Sequence, residues 1–150
     1  MPSQLPVATE PLTVRTSICG QSGPAYTIQE VLAERREPLL CVYRARYDIS
    51  PAIRTMLITT GAEGQSFIIK NRIPGECEYH KDPQKPLASS PNLRTVMDGL
   101  PGSELFIYPI LQSDFLQFSL KNLSVATRKG MLKSALAGLA VLYERNIIHR

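Results

Sequence analysis

Short apolar runs separated by turn-forming residues fill the chain from Tyr26 to about residue 111, and this pattern predicts β-strands. The segments YTIQEVL and PLLCVYRARY are strand candidates, and RTMLITTGAEGQSFIIKN predicts two strands around a turn at 61–64. LRTVMD and ELFIYPIL are two further candidates. The second of these is almost wholly apolar, which indicates a central position in its sheet.

Two helical segments interrupt and follow these strands. Between residues 74 and 91 four prolines limit any helix to a short or distorted piece, which Asp82 could cap if it starts at Pro83. Further on, the apolar period changes from two to three or four, and Ser124 or Thr127 can cap the resulting helix. Its apolar stripe consists of Met131, Leu132, Ala135, Leu136, Leu139 and Leu142. Strands, an irregular helical piece and then a long amphipathic helix predict an α+β fold.

Composition narrows the class of protein. The 17 Lys and Arg against 13 Asp and Glu give a net charge of +4, and these basic residues are spread out, which argues against a nucleic-acid surface. The three cysteines, Cys19, Cys41 and Cys77, are far apart and predict reduced thiols rather than a zinc site. No apolar run approaches the roughly 20 residues that span a bilayer. We therefore expect an intracellular protein, cytoplasmic or nuclear, without a membrane or nucleic-acid partner.

Residues 1–25 differ from the rest in being rich in proline and small hydroxyl residues. A mitochondrial presequence is conceivable, but the segment has one arginine and its prolines interrupt an amphipathic helix. We expect a disordered leader.

Four motifs in sequence order resemble those of protein kinases, in particular the kinase-like proteins of fungi. SFIIK resembles the third-strand motif that carries the phosphate-binding lysine. SPNLRTV resembles the loop after the regulatory helix, and LFIYPILQSDFLQF resembles the fifth strand, hinge and first large-lobe helix. KSALAGLAVLYERNIIHR resembles the helix that leads into the catalytic loop. The resemblance implies a small lobe at about 26–109, a hinge at about 109–113 and the start of an incomplete large lobe at 114–150.

The resemblance also implies roles for individual residues. Lys70 would bind the phosphates of ATP, and alternation supports this because Ile68 and Lys70 share one face of a strand while Phe67 and Ile69 share the other. The family spacing indicates Lys81, which Glu78 and Asp82 flank, and of these two acids Glu78 is the preferred partner of Lys70. His149 and Arg150 would support the catalytic loop. The residues implied to bind ATP are Val42, Ile68, Lys70, Glu78, Tyr108, Pro109, Leu111 and Asp114.

Some positions depart from the kinase pattern. No glycine occurs between Leu32 and Ala45, where kinases have their glycine-rich loop, and Ile68 stands where alanine is common. Pro109 has no amide hydrogen to offer adenine, although its carbonyl and the groups of Leu111 could serve. The catalytic aspartate and the magnesium-binding residues would follow Arg150.

Three functions stay open at this point. The chain could be a truncated kinase domain whose complete form transfers the γ-phosphate of ATP, with magnesium, to protein hydroxyls, more often of Ser or Thr. It could be a pseudokinase-like module that binds a protein partner without catalysis, or an unstable fragment. The partner surface would be the helix stripe of Leu132, Leu136 and Leu139, because the large lobe that normally covers it is not in this sequence.

Overall fold

The computed structural model describes residues 10–48, 65–73, 82–100, 104–111, 117–118, 121 and 123–147. These residues form an α+β fold, as predicted. Its strands are β1 (Ser17–Cys19), β2 (Ala25–Arg36), β3 (Leu39–Asp48), β4 (Ser66–Asn71), β5 (Asp98–Gly99) and β6 (Leu105–Pro109). A 3-10 helix at Asp82–Leu87 precedes β5, and the long helix α1 (Val125–Glu144) follows β6. The predicted strand before residue 61 and the predicted turn at 61–64 lie outside the described residues.

The strands form a sheet in the order β1-β2-β3-β4-β6-β5, and every neighbouring pair is antiparallel. β6 lies between β4 and β5, which confirms the central position predicted from its apolar sequence. β2 extends beyond the predicted segment YTIQEVL at both ends. Its register with β3 shifts between Ile28 and Glu30 and again between Val31 and Ala33. Such bulges increase the local twist and bend the strand.

One face of the sheet carries the main core. The residues that pack there include Ile28, Tyr43, Ile69 and Ile107, each with 0% of its surface exposed. Phe67 belongs to the same cluster, so the predicted division of the SFIIK segment, with Phe67 and Ile69 on the core side, is confirmed. The alternate residues of β4 and β6 therefore lie on the opposite face.

Two predictions about local structure are wrong. Of the predicted strand LRTVMD only Asp98 belongs to a strand, because the Val96 amide donates to the Gln84 side chain and the Leu93 amide to the Ser90 carbonyl instead of to a neighbouring strand. The disordered leader predicted through residue 25 is wrong from Glu10 onward, since β1 pairs with β2 in this segment.

The turn after β1 is joined to β5 through a buried carboxylate. Asp98 is 8% exposed, and it accepts hydrogen bonds from the Ser22 hydroxyl at 2.5 Å and from the Gly99 amide at 2.8 Å. The Gln21 amide donates to the Gly99 carbonyl at 2.7 Å. These bonds attach the first strand to the far end of the sheet.

The long helix begins where its sequence predicts. Ser124 is the N-cap, and its hydroxyl accepts a hydrogen bond from the Thr127 amide at 3.1 Å. The helix contacts the 90–93 loop at Gly138, the one buried residue described in it. Leu132, Leu136 and Leu139 are 55%, 65% and 59% exposed, so the expected exposure of the stripe is confirmed. Within the described chain, no helix has the length and apolar character required to cross a membrane.

Candidate functional site

Four of the residues implied to bind ATP lie together on the face of the sheet opposite the main core. Strand pairing aligns Val42 with Lys70 on neighbouring strands, and Ile68 with Tyr108 on the next pair. Ile68 and Tyr108 are buried with Phe106 in a second apolar cluster, against which Val42 packs. The alternation of β4 thus places the lysine beside an apolar patch formed by three strands.

A small pocket opens beside Lys70. Its volume is about 190 Å³, and it is lined by residues 40–42 of β3 and by residues 70–73, which comprise the end of β4 and the two residues after it. Pockets for complete drug-sized ligands usually measure about 300–1,000 Å³. The described walls therefore suit a group the size of a few phosphates better than a whole nucleotide.

Three cationic side chains surround the ring of Tyr108. The Lys70 Nζ atom lies 5.8 Å from the ring centroid, and the Cζ atoms of Arg72 and Arg94 lie at 5.9 Å and 5.3 Å. Arg72 also donates a hydrogen bond to the Tyr108 hydroxyl, and its Cζ atom lies 5.4 Å from the ring centroid of Phe106. Aromatic faces attract cations within about 6 Å, and so the rings hold the three charges near each other.

Burial affects the titration of Lys70 and Arg94, and neighbouring charges add to the effect at Lys70. The pKa of Lys70 is lowered, first because burial disfavours the ammonium and then because Arg94 and Arg72 repel it. Burial also lowers the pKa of Arg94. Within the described ranges, the salt bridges Arg36–Glu34 and Arg44–Glu30 involve none of the three cations. An anionic ligand at this site would relieve the repulsion.

One backbone carbonyl of the predicted hinge already accepts a hydrogen bond from another part of the protein. Pro109 ends β6, and its carbonyl accepts a hydrogen bond from the Nε atom of Arg94 at 2.9 Å. Leu111 is 59% exposed. The Pro109 carbonyl that the kinase resemblance assigns to adenine thus already has a partner.

The other implied site residues, Glu78, Asp114, His149 and Arg150, lie outside the described residues. The structure also brings Arg72 and Arg94 to the site, which the sequence interpretation did not single out. Alternation could have found Arg72, because it lies two residues beyond Lys70 on the same face. The position of Arg94 depends on the path of the 90–97 loop, which periodicity does not predict.

The chemistry of the described site is that of anion binding. Lysine and arginine donate charged hydrogen bonds to phosphate or carboxylate oxygens. Among the residues that the structure describes, no group of three or more His, Cys, Asp or Glu side chains is arranged to hold a metal ion. Comparisons of the chain with protein-family models, with curated proteins and with solved structures found no match.

Proposed function

We propose that the chain carries the small lobe of a protein kinase-like domain, in which Lys70 binds the phosphates of ATP. The complete domain would use magnesium and transfer the γ-phosphate to protein hydroxyls, more often those of Ser or Thr. One observation carries the proposal: Lys70 lies on the same face as Val42, Ile68 and Tyr108 and borders a pocket. These are the residues that the resemblance assigns to one ligand.

The surroundings of Lys70 support this role. Its ammonium is partly buried between an apolar patch and two arginines, where the effective dielectric constant is lower than in water. A charge–charge attraction is stronger in such a place than at an open surface, so phosphate would gain more from this lysine than from an exposed one.

A second candidate function is the protein-interaction module without catalysis. Its supporting observations are the exposed leucines of α1 and the connection between β2 and β3, which consists of Glu37 and Pro38 and contains no glycine. A backbone without glycine approaches phosphates less closely than a glycine-rich loop does. On this hypothesis the leucines of the helix stripe bind a partner, and the sheet face that carries Val42, Ile68, Lys70 and Tyr108, here called the Lys70 face, binds no nucleotide.

Thermal unfolding with MgATP tests the first proposal. A ligand at a hundredfold excess over its Kd stabilises the native state by about 2.7 kcal/mol. For a chain of this size that corresponds to a rise in Tm of about 5–10 °C. We expect this rise in the wild type and its loss in Lys70→Met.

The matched control is Lys133→Met, which removes the same charge from the exposed surface of α1. It should leave the response to MgATP unchanged. A wild type whose Tm does not respond to MgATP would remove the nucleotide proposal and leave the interaction module.

A further inference from the structure

We infer that the site formed by Lys70, Arg72, Arg94 and Tyr108 recognises a linear phosphate chain, such as a di- or triphosphate, and gains little from an attached base. The inference rests on the proposed function in that both place phosphates at Lys70. It goes further in assigning recognition to the phosphate chain, and in giving two arginines the role of ligands.

The first argument is charge. The three cations within 6 Å of the centroid of one ring match the several negative charges of a di- or triphosphate. A guanidinium group has five N–H donors, so Arg72 and Arg94 have donors beyond those that bond to Tyr108 and Pro109, and Lys70 adds a point charge. Together they suit a chain of oxygens better than they suit one isolated anion.

The second argument is an unpaired donor. The Nε atom of Arg72 is buried and has no hydrogen-bond partner within the described part of the chain. A buried donor without a partner costs free energy, and such groups in native structures call for a partner. Arg72 also lines the pocket beside Lys70, so a phosphate bound there would lie next to this side chain.

The third argument concerns the base. In the kinase resemblance adenine would bond to the backbone of Pro109 and Leu111, but Pro109 has no amide hydrogen and its carbonyl accepts a hydrogen bond from Arg94. The Arg94 guanidinium also lies over the ring of Tyr108. A base that bonded to the Pro109 carbonyl would have to displace Arg94 from that carbonyl, whereas a phosphate chain would keep Arg94 as a ligand.

Calorimetric titration at fixed ionic strength compares sodium triphosphate, ATP and adenosine as ligands of the full chain. We expect triphosphate to bind with a Kd no more than about tenfold above that of ATP, and adenosine to displace neither ligand. Arg94→Ala should weaken triphosphate binding about tenfold or more, because a charge-assisted hydrogen bond is lost. Arg128→Ala, which removes the same charge from the exposed start of α1, should leave both affinities unchanged.

A second substitution covers the case in which Arg94→Ala does not fold. Arg94→Lys keeps the charge but removes the Nε donor, so triphosphate binding should persist while the preference for ATP over triphosphate increases. If Arg72→Ala has the same melting curve as the wild type but binds triphosphate more weakly, the result would support the role of the two arginines as phosphate ligands.

The outcomes separate the inference from the proposed function. ATP binding more than about tenfold tighter than triphosphate, or displacement of ATP by adenosine, would overturn the inference and leave the nucleotide proposal standing. Triphosphate binding without ATP binding would support the inference and overturn the nucleotide proposal. Failure of both ligands to bind would overturn both.

Discussion

Gly20 lies in the turn that joins β1 to β2, directly against the carboxylate of Asp98. A Cβ atom added to this glycine would overlap Oδ2 of Asp98 and lie 3.0 Å from its Cγ atom and 3.1 Å from Cε2 of Tyr26. Neither neighbour is the free end of a flexible side chain, because Asp98 is hydrogen-bonded and Tyr26 is 4% exposed. Gly20→Ala therefore forces the carboxylate to move.

The displacement breaks specific hydrogen bonds. The Ser22 hydroxyl donates to Asp98 Oδ2, the atom that the new methyl group would overlap, at 2.5 Å, and the Ser22 amide lies 3.4 Å from the same oxygen. A hydrogen bond to a charged group contributes about 1.5–3 kcal/mol. Losing one such bond, with some disturbance of Tyr26, should lower the free energy of unfolding by about 2–4 kcal/mol.

Urea denaturation followed by circular dichroism measures this loss. Gly130→Ala is the matched control, since a Cβ atom at Gly130 would meet nothing within 4 Å. Because alanine is the better helix former, this control should raise the free energy of unfolding by about 0.5–1 kcal/mol. A Gly20→Ala protein within about 0.5 kcal/mol of the wild type, the range typical of surface substitutions, would refute the reasoning.

Three further predictions concern the core, the pH dependence and the helix surface. Ile107→Ala should cost about 2–5 kcal/mol in urea denaturation, because Ile107 is completely buried, and a loss below 1 kcal/mol would contradict its place in the core. Burial, and then Asp98, raises the pKa of Tyr26 from 10.0 to about 12. The unfolded chain thus loses this proton first, so the stabilisation present below pH 10 should decline as the pH rises towards about 12, and Tyr26→Phe should make this decline smaller. An unchanged decline would show that Tyr26 does not cause it. Replacing Leu136 and Leu139 by Gln should reduce self-association in sedimentation without lowering the free energy of unfolding, since both side chains are mostly exposed. A wild type that is monomeric at all concentrations would contradict this expectation.

Much of the fold follows from local patterns in the sequence. The apolar segment ELFIYPIL identifies a central strand, and the three-to-four spacing after Ser124 identifies the long helix with its N-cap. Both depend on periodicity over many residues, which is the strongest signal that a single sequence contains. β1 escaped prediction because three residues between a proline-rich segment and a glycine give too short a pattern. It is held by pairing with β2 and by the bonds to Asp98, which are distant in sequence.

The candidate site was likewise predictable from the sequence only in part. Alternation along β4 correctly separates Ile68 and Lys70 from Phe67 and Ile69, which belong to the main core, because a strand has a strict period of two. Arg94 lies in a segment that the sequence interpretation took for a strand, whereas its backbone follows turns and its side chain reaches Pro109. A loop that passes over a sheet is positioned by tertiary contacts, which no local pattern records.

The most direct test of phosphate binding at the Lys70 face is a titration of isotope-labelled tyrosine in the magnetic resonance spectrum with sodium triphosphate. Tyr108 lies among the three cations, and Tyr143 is 84% exposed on α1 and serves as an internal control. We expect saturable shifts of the Tyr108 ring signals, unchanged Tyr143 signals, and loss of the response in Lys70→Met. Saturable shifts of the Tyr143 ring signals instead of those of Tyr108, or unchanged Tyr108 signals at every triphosphate concentration, would contradict the account.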